Sequence, residues 1–162
     1  MKVITFLRHS KSSWDYEILD IHRPLSVIGI EKIKKTANSS KDHFISSEII
    51  YTSSANRALY TSILLAKSLS INFRKIKICD ELYTFSFTEV MEFIRTIDNN
   101  YSNVVLVGHN PAYTEISNYF SENKILNLPT ARWFSLKFES DNWSDIIDLK
   151  PISYLNNLKS GV

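Results

Sequence analysis

Two hydrophobic periods take turns along this chain. Residues 2–7 are short, apolar and β-rich, as a buried strand should be. After a polar stretch, Val27, Ile30, Ile33 and Ala37 recur at helical spacing behind Leu25-Ser26, and Ser26 is placed to cap that helix. Residues 47–52, around Ile49-Ile50-Tyr51, read as a second strand. That strand runs into Ser53-Ser54, a cap for a helix with Ala55, Leu59, Ile63, Ala66 and Leu69 on one face. Residues 75–79 form a third strand, and Ser86-Phe87-Thr88-Glu89 is a capping box opening a helix through Val90, Ile94 and Ile97. Residues 103–107 are an apolar strand of the fully buried kind. Behind it Asn110 caps, and Pro111 starts, a helix carrying Tyr113, Ile116 and Phe120. Finally Phe134, Leu136 and Phe138 alternate with Ser135 and Lys137, and residues 145–149 are expected to pair with them as a closing strand. This alternation predicts an α/β fold, a three-layer α/β/α sandwich with a mostly parallel sheet. Chemistry in such folds lies beyond the carboxyl ends of the strands.

Composition narrows the class. With 162 residues, 44% of them hydrophobic and 22% charged, the chain is expected to form one packed domain over residues 1–162, which argues against disorder. The longest unbroken apolar runs, 63–66 and 104–107, have four residues, against roughly 20 for a membrane span. Residues 1–8 are too soon interrupted by charge for a signal peptide, and a lone Cys79 fits a reducing compartment, so a cytoplasmic location is expected. A net charge of +2 gives no reason to expect nucleic acid or an anionic membrane as partner. The charged helix faces carry no strong dimer signal, and a monomer is expected.

Three polar groups then stand where strands end: Arg8-His9, Arg57 in the first turn of the helix after the second strand, and His109. Singly, each has an ordinary reading as a hydrogen-bonded histidine, a solvated arginine or turn chemistry. Together they bring two imidazoles and two guanidiniums to one mouth. Guanidinium forks match phosphate oxygens, a helix N-terminus adds N–H donors, and a neutral imidazole is a competent nucleophile. Histidine-based phosphoryl transfer is the reading this supports. The polar run Ser10-Lys11-Ser12-Ser13 could meet phosphate, with Ser12 the candidate contact, or be only a loop. No carboxylate is forced into the same place by the pattern. The histidines and Cys79 lack metal-ligand spacing, so no metal is expected, and no P-loop or dinucleotide fingerprint is present. Lys32, Lys34 and Lys35 read as a solvated helix face, while Tyr83, Phe85 and Phe87 could line a cleft or join the core.

The ordered motifs resemble the histidine phosphatase superfamily, the phosphoglycerate mutase-like proteins, and within it the small SixA-type phosphohistidine phosphatase branch. The resemblance rests on Arg8-His9-Ser10-Lys11-Ser12-Ser13-Trp14, on Asp20 with His22-Arg23-Pro24-Leu25-Ser26 and Gly29, and on Ser53-Ser54-Ala55-Asn56-Arg57-Ala58 with Thr61. It continues through Glu81-Leu82-Tyr83, Val107-Gly108-His109-Asn110-Pro111 and Leu128-Pro129-Thr130-Ala131, in order over most of the chain. It implies a phosphoglycerate mutase-like fold, His9 as the nucleophile that is transiently phosphorylated, and Arg8 and Arg57 as holders of the phosphoryl oxygens. His109 would be the second histidine, donating to the group in flight. No metal or organic cofactor is implied.

The chain departs from the wider superfamily at three positions. Ser10 replaces a common glycine, as is usual in the SixA-type branch. Thr84 and Asn110 stand where larger relatives carry an acidic proton donor, and neither is an acid at neutral pH. Asp20 and Glu81 are then the nearest acidic candidates. A P–N bond has a leaving nitrogen that protonates readily, so the substitution favours a phosphoramidate over a sugar phosphate and argues against mutase activity. The expectation is therefore a phosphatase signalling through a phosphohistidine-bearing protein substrate. The alternatives are a phosphatase of a small phosphorylated metabolite and a catalytically silent phosphate-binding module.

Overall fold

The computed structural model describes residues 1–158. In chain order it contains β1 (Lys2–Arg8), α1 (Val27–Ser39), α2 (Lys41–Ile45), β2 (Ile49–Ser53), α3 (Asn56–Leu69), β3 (Ile76–Cys79) and α4 (Phe87–Arg95). β4 (Asn103–Gly108), α5 (Ala112–Phe120), β5 (Trp133–Phe138) and β6 (Ser153–Asn156) follow. The strands form one six-stranded sheet in the order β3-β2-β4-β1-β5-β6. β1 through β4 run parallel, and β5 and β6 add antiparallel at one side. Val3 faces Asn103 and Arg8 faces Gly108, so β1 and β4 end together.

Strand alternation splits the core in two. Ile4, Phe6, Tyr51, Val104 and Leu106 pack beneath α4 and α5, with Val90, Ile94, Tyr113 and Ile116. Leu7, Ile50, Val105 and Val107 face the opposite side, against Ile33, Phe44, Ala58 and Leu65 of α1, α2 and α3. This is the expected three-layer α/β/α sandwich, with β1, β2 and β4 buried on both faces as their apolar runs require, while the edge strand β3 leaves Lys77 and Ile78 exposed.

Details differ from the pattern reading. On α1 the inward face is Gly29, Ile33, Thr36 and Ala37, while Val27 is exposed. On α3 the small residues Ala58, Thr61 and Ser62 are turned in and Leu59 and Ile63 are only half-buried. Polar side chains there are tolerable because each bonds within its own helix: Thr61 Oγ1 donates to the Arg57 carbonyl and Ser62 Oγ to that of Ala58. Ser26 and Ser86 cap α1 and α4 as expected, accepting from the N–H of Gly29 and of Glu89, but the caps expected on α3 and α5 do not act. The N-cap of α3 is Ala55 and that of α5 is Pro111, both without a side-chain bond. The Asn110 amide donates to Asn127 and Leu128 instead. Residues 145–149 are not a strand: Asp145–Asp148 is a 3-10 turn that drops Ile146 into the core beside Trp143, and β6 closes the sheet. Lys32 is not free in solvent either, since its ammonium donates to Thr130 Oγ1 at 2.9 Å. Among the described residues no helix is long and apolar enough to cross a membrane.

Candidate active site

Parallel strands that end in register bring their following residues to one rim. His9 extends from β1 and His109 from β4, and their rings lie 5.0 Å apart between centroids. Arg57 reaches both from the first turn of α3: its Nε–H donates to His9 Nε2 at 3.3 Å, and an Nη lies 3.4 Å from His109 Nδ1. All three are buried. The expected convergence of His9, His109 and Arg57 is therefore present.

The hydrogen bonds fix the imidazoles' protons. A carbonyl oxygen can only accept, so the 2.7 Å contact from His9 Nδ1 to the Ser10 carbonyl places the proton on Nδ1. That leaves the Nε2 lone pair toward the guanidinium. His109 Nδ1 faces a donor, so its proton sits on Nε2 and is donated to Ser53 Oγ at 2.8 Å. Burial pushes His9 down to about 3, aided by the positive charges of Arg57, Arg8 and Arg23 against the opposing pull of the Ser10 bond. Burial, then His9 and Arg57, push His109 down to about 2. Both imidazoles are neutral at physiological pH.

The segment after His9 is pinned in place. Ser10 N–H donates to Thr61 Oγ1 and Ser10 Oγ to the Gly29 carbonyl. Ser26 donates to the Lys11 carbonyl through both its N–H and its Oγ. From the other side, Ala131 N–H donates to the carbonyls of Arg8 and His9. Arg8 donates to the Leu128 carbonyl at 2.6 Å, and its buried Nε has no partner among the described residues. Ser12 lies at the mouth, where its Oγ accepts from Arg23 at 2.8 Å. Its contact is thus to an arginine that itself lines the mouth.

The site also holds a carboxylate that the strand-end pattern did not place there. Asp20 Oδ2 accepts from an Arg57 Nη at 3.0 Å and from the Tyr83 hydroxyl at 2.7 Å, and Oδ1 accepts from Arg23 Nε at 3.0 Å. Burial works to raise this carboxyl, but the bonds from Tyr83, Arg57 and Arg23 outweigh it and hold it down at about 2. Arg23 in turn stacks its guanidinium 3.5 Å from the Trp14 ring. Asp20 and Arg23 lie in a segment without periodicity, so only the motif resemblance pointed to them, and the strand pattern did not. Of the aromatic trio, Phe85 lines the mouth and Tyr83 packs edge-on to His109, while Phe87 joins the core. Glu81 lies elsewhere, beside Cys79 and α4, and Thr84 Oγ1 is engaged by Glu89. The mouth, about 290 Å³, is lined by Arg8, Lys11, Arg23 and Arg57 around Asp20, the one acid there among the described residues. Among the described residues no cluster of three or more His, Cys, Asp or Glu could hold a metal.

Two neutral imidazoles thus face each other beside guanidinium donors, at the carboxyl ends of the parallel strands of a phosphoglycerate mutase-like fold. The fold is that of the SixA phosphohistidine phosphatases. A protein of Agrobacterium tumefaciens assigned to SixA superposes with a TM-score of 0.77 at 20% identity over 95% of this chain and 97% of its own. The protein histidine phosphatase SixA complexed with tungstate gives 0.72 at 20% over 86% and 91%. A mycobacterial glucosyl-3-phosphoglycerate phosphatase complexed with VO3 gives 0.68 at 13%, covering both chains completely. No protein-family model and no curated protein matches the chain.

Proposed function

We infer that this protein is a phosphatase that removes a phosphoryl group from phosphohistidine in a protein, through a transient phosphohistidine on His9. The observation that carries the reading is the orientation of His9: Nδ1–H is tied to the Ser10 carbonyl, and Nε2 is held bare beside Arg57 and His109. His9 Nε2 attacks phosphorus while Arg8 and Arg57 take the phosphoryl oxygens. A phosphoryl dianion between the rings favours protonation of His109 Nδ1, which turns that nitrogen from acceptor to donor. Water then attacks phospho-His9 and releases phosphate. Proteins of the same fold that take up tungstate and VO3, both phosphoryl mimics, support the anion site. The mouth is open, with Trp14 exposed at 77%, and this suits a side chain presented on a protein surface. A small phosphorylated metabolite is the second reading, supported by the full-length likeness to the glucosyl-3-phosphoglycerate phosphatase and by the Trp14 and Phe85 walls.

The test is phosphate release from a histidine-phosphorylated protein, with a chelator present throughout. The native protein is expected to release phosphate and His9→Ala to lose at least about a thousandfold in rate, as removal of a covalent nucleophile does. Equal release by both would end the assignment of His9 as nucleophile.

A further inference from the structure

Asp20 has no evident use in that scheme as an acid, since it is ionised, yet it is the one carboxylate lining the mouth. Its position gives it another. The nucleophile lies at the floor, with His9 8% exposed, while the Asp20 side chain is 44% exposed at the outer end of Arg57. In an in-line displacement the leaving group lies opposite the attacking Nε2. It therefore extends outward, past Asp20 and between the Trp14 and Phe85 walls. A fixed negative charge there repels a departing alkoxide or phenolate and attracts a ring that carries a proton. Asp20 Oδ2 already accepts from Arg57 and Tyr83, whereas Oδ1 accepts from Arg23 and keeps a lone pair for one more donor.

We propose that Asp20 is a specificity-determining residue that accepts the ring N–H of a protonated phosphoimidazole and so selects phosphohistidine over phosphate esters. The proposal rests on the phosphatase reading above. In the transfer step the lone pair of His9 Nε2 forms the new P–N bond. The old P–N bond breaks, and its electron pair returns to the substrate ring, which departs as a neutral imidazole still holding its distal proton. His9, now phosphorylated, keeps its Nδ1–H on the Ser10 carbonyl. Donor and acceptor rings thus exchange the phosphoryl group between equivalent protonation states, and no separate general acid is needed. Asp20 does for the substrate ring what the Ser10 carbonyl does for His9.

The experiment compares kcat/KM for free phosphohistidine and for p-nitrophenyl phosphate, whose leaving group needs no proton, in native protein and in Asp20→Asn, with folding checked by thermal melting. The ratio of the two values is expected to fall about tenfold or more in Asp20→Asn, the scale of a lost charge-assisted hydrogen bond. A ratio that stays constant while both values fall together would overturn the proposal and reduce Asp20 to a prop for Arg57. Should Asp20→Asn not fold, the native protein decides. Its ratio is expected to drop as pH rises through the range in which a phosphoimidazole loses its ring proton, and a flat ratio overturns the proposal. Native protein inactive on both substrates would overturn the phosphatase reading itself.

Discussion

Gly29 sits where the loop after His9 crosses α1, and a Cβ built there would lie 2.0 Å from the Lys11 carbonyl oxygen. Backbone, not a flexible side chain, is in the way, so relief requires moving the loop or the helix. That loop carries Ser10, whose hydroxyl bonds the Gly29 carbonyl, and Ser12, which meets Arg23. Gly29→Ala is expected to cost about 1–3 kcal/mol, the usual range for overpacking. It should also lower kcat/KM, because the displaced segment orients His9. Chemical denaturation alongside steady-state kinetics checks both, and a variant as stable and active as the native protein would show that the loop has slack.

At the scale of elements, Thr61 ties β1 to α3. Its hydroxyl accepts the Ser10 N–H and donates to the Arg57 carbonyl, so one side chain joins the segments bearing His9 and Arg57. Thr61→Val keeps the shape and orphans a buried N–H, with an expected loss of about 1–3 kcal/mol and a fall in kcat, measured by melting and kinetics. Such links explain what was legible in the sequence. The strands and the residues that end them, Arg8, His9 and His109, were readable because a buried parallel strand leaves an unbroken apolar run and its terminus is marked by the first polar residues. Arg57 followed from its place in the next helical turn. Asp20 and Arg23 were quoted in the motifs but could not be placed in the site, since their positions depend on a loop whose course is set by tertiary bonds to Arg57 and Tyr83. The inward face of α3 departs from the hydrophobic pattern for a related reason. Close packing against the sheet selects small side chains such as Ala58 and Ser62 over the larger Leu59 and Ile63, an outcome hydrophobicity does not encode. Residues 145–149 do not form the closing strand because Trp143 and Ile146 fill the core end, and the pairing falls to β6.

For the whole molecule, the burial of His9 and His109 makes stability depend on pH. The unfolded chain binds protons at these imidazoles below about 6.5, whereas the folded protein resists them until about 3 and about 2. Stability is complete above the unfolded value and is lost as pH falls below it. Each histidine accounts for about 2 kcal/mol lost between neutral pH and pH 5. His109→Gln is expected to flatten the acid limb of a melting-temperature profile by about that amount, and a profile as steep as the native one would mean that His109 is protonated in the folded state. Asp20 adds to acid sensitivity only at lower pH, between the ordinary carboxylate range and about 2.

The strand order carries a consequence for how the protein comes into being. β1 lies between β4 and β5, so Val3 waits for Asn103 and Lys2 for Phe138 before either edge is covered. A chain growing from its N-terminal end therefore holds His9 ready long before anything exists to seat it. Until β4 supplies the neighbouring imidazole and the segment before β5 clasps Arg8 and His9, His9 is an ordinary solvated histidine with an ordinary proton affinity. The paired-histidine site is thus assembled only when β4 and the segment before β5 are in place, long after His9 itself has been made.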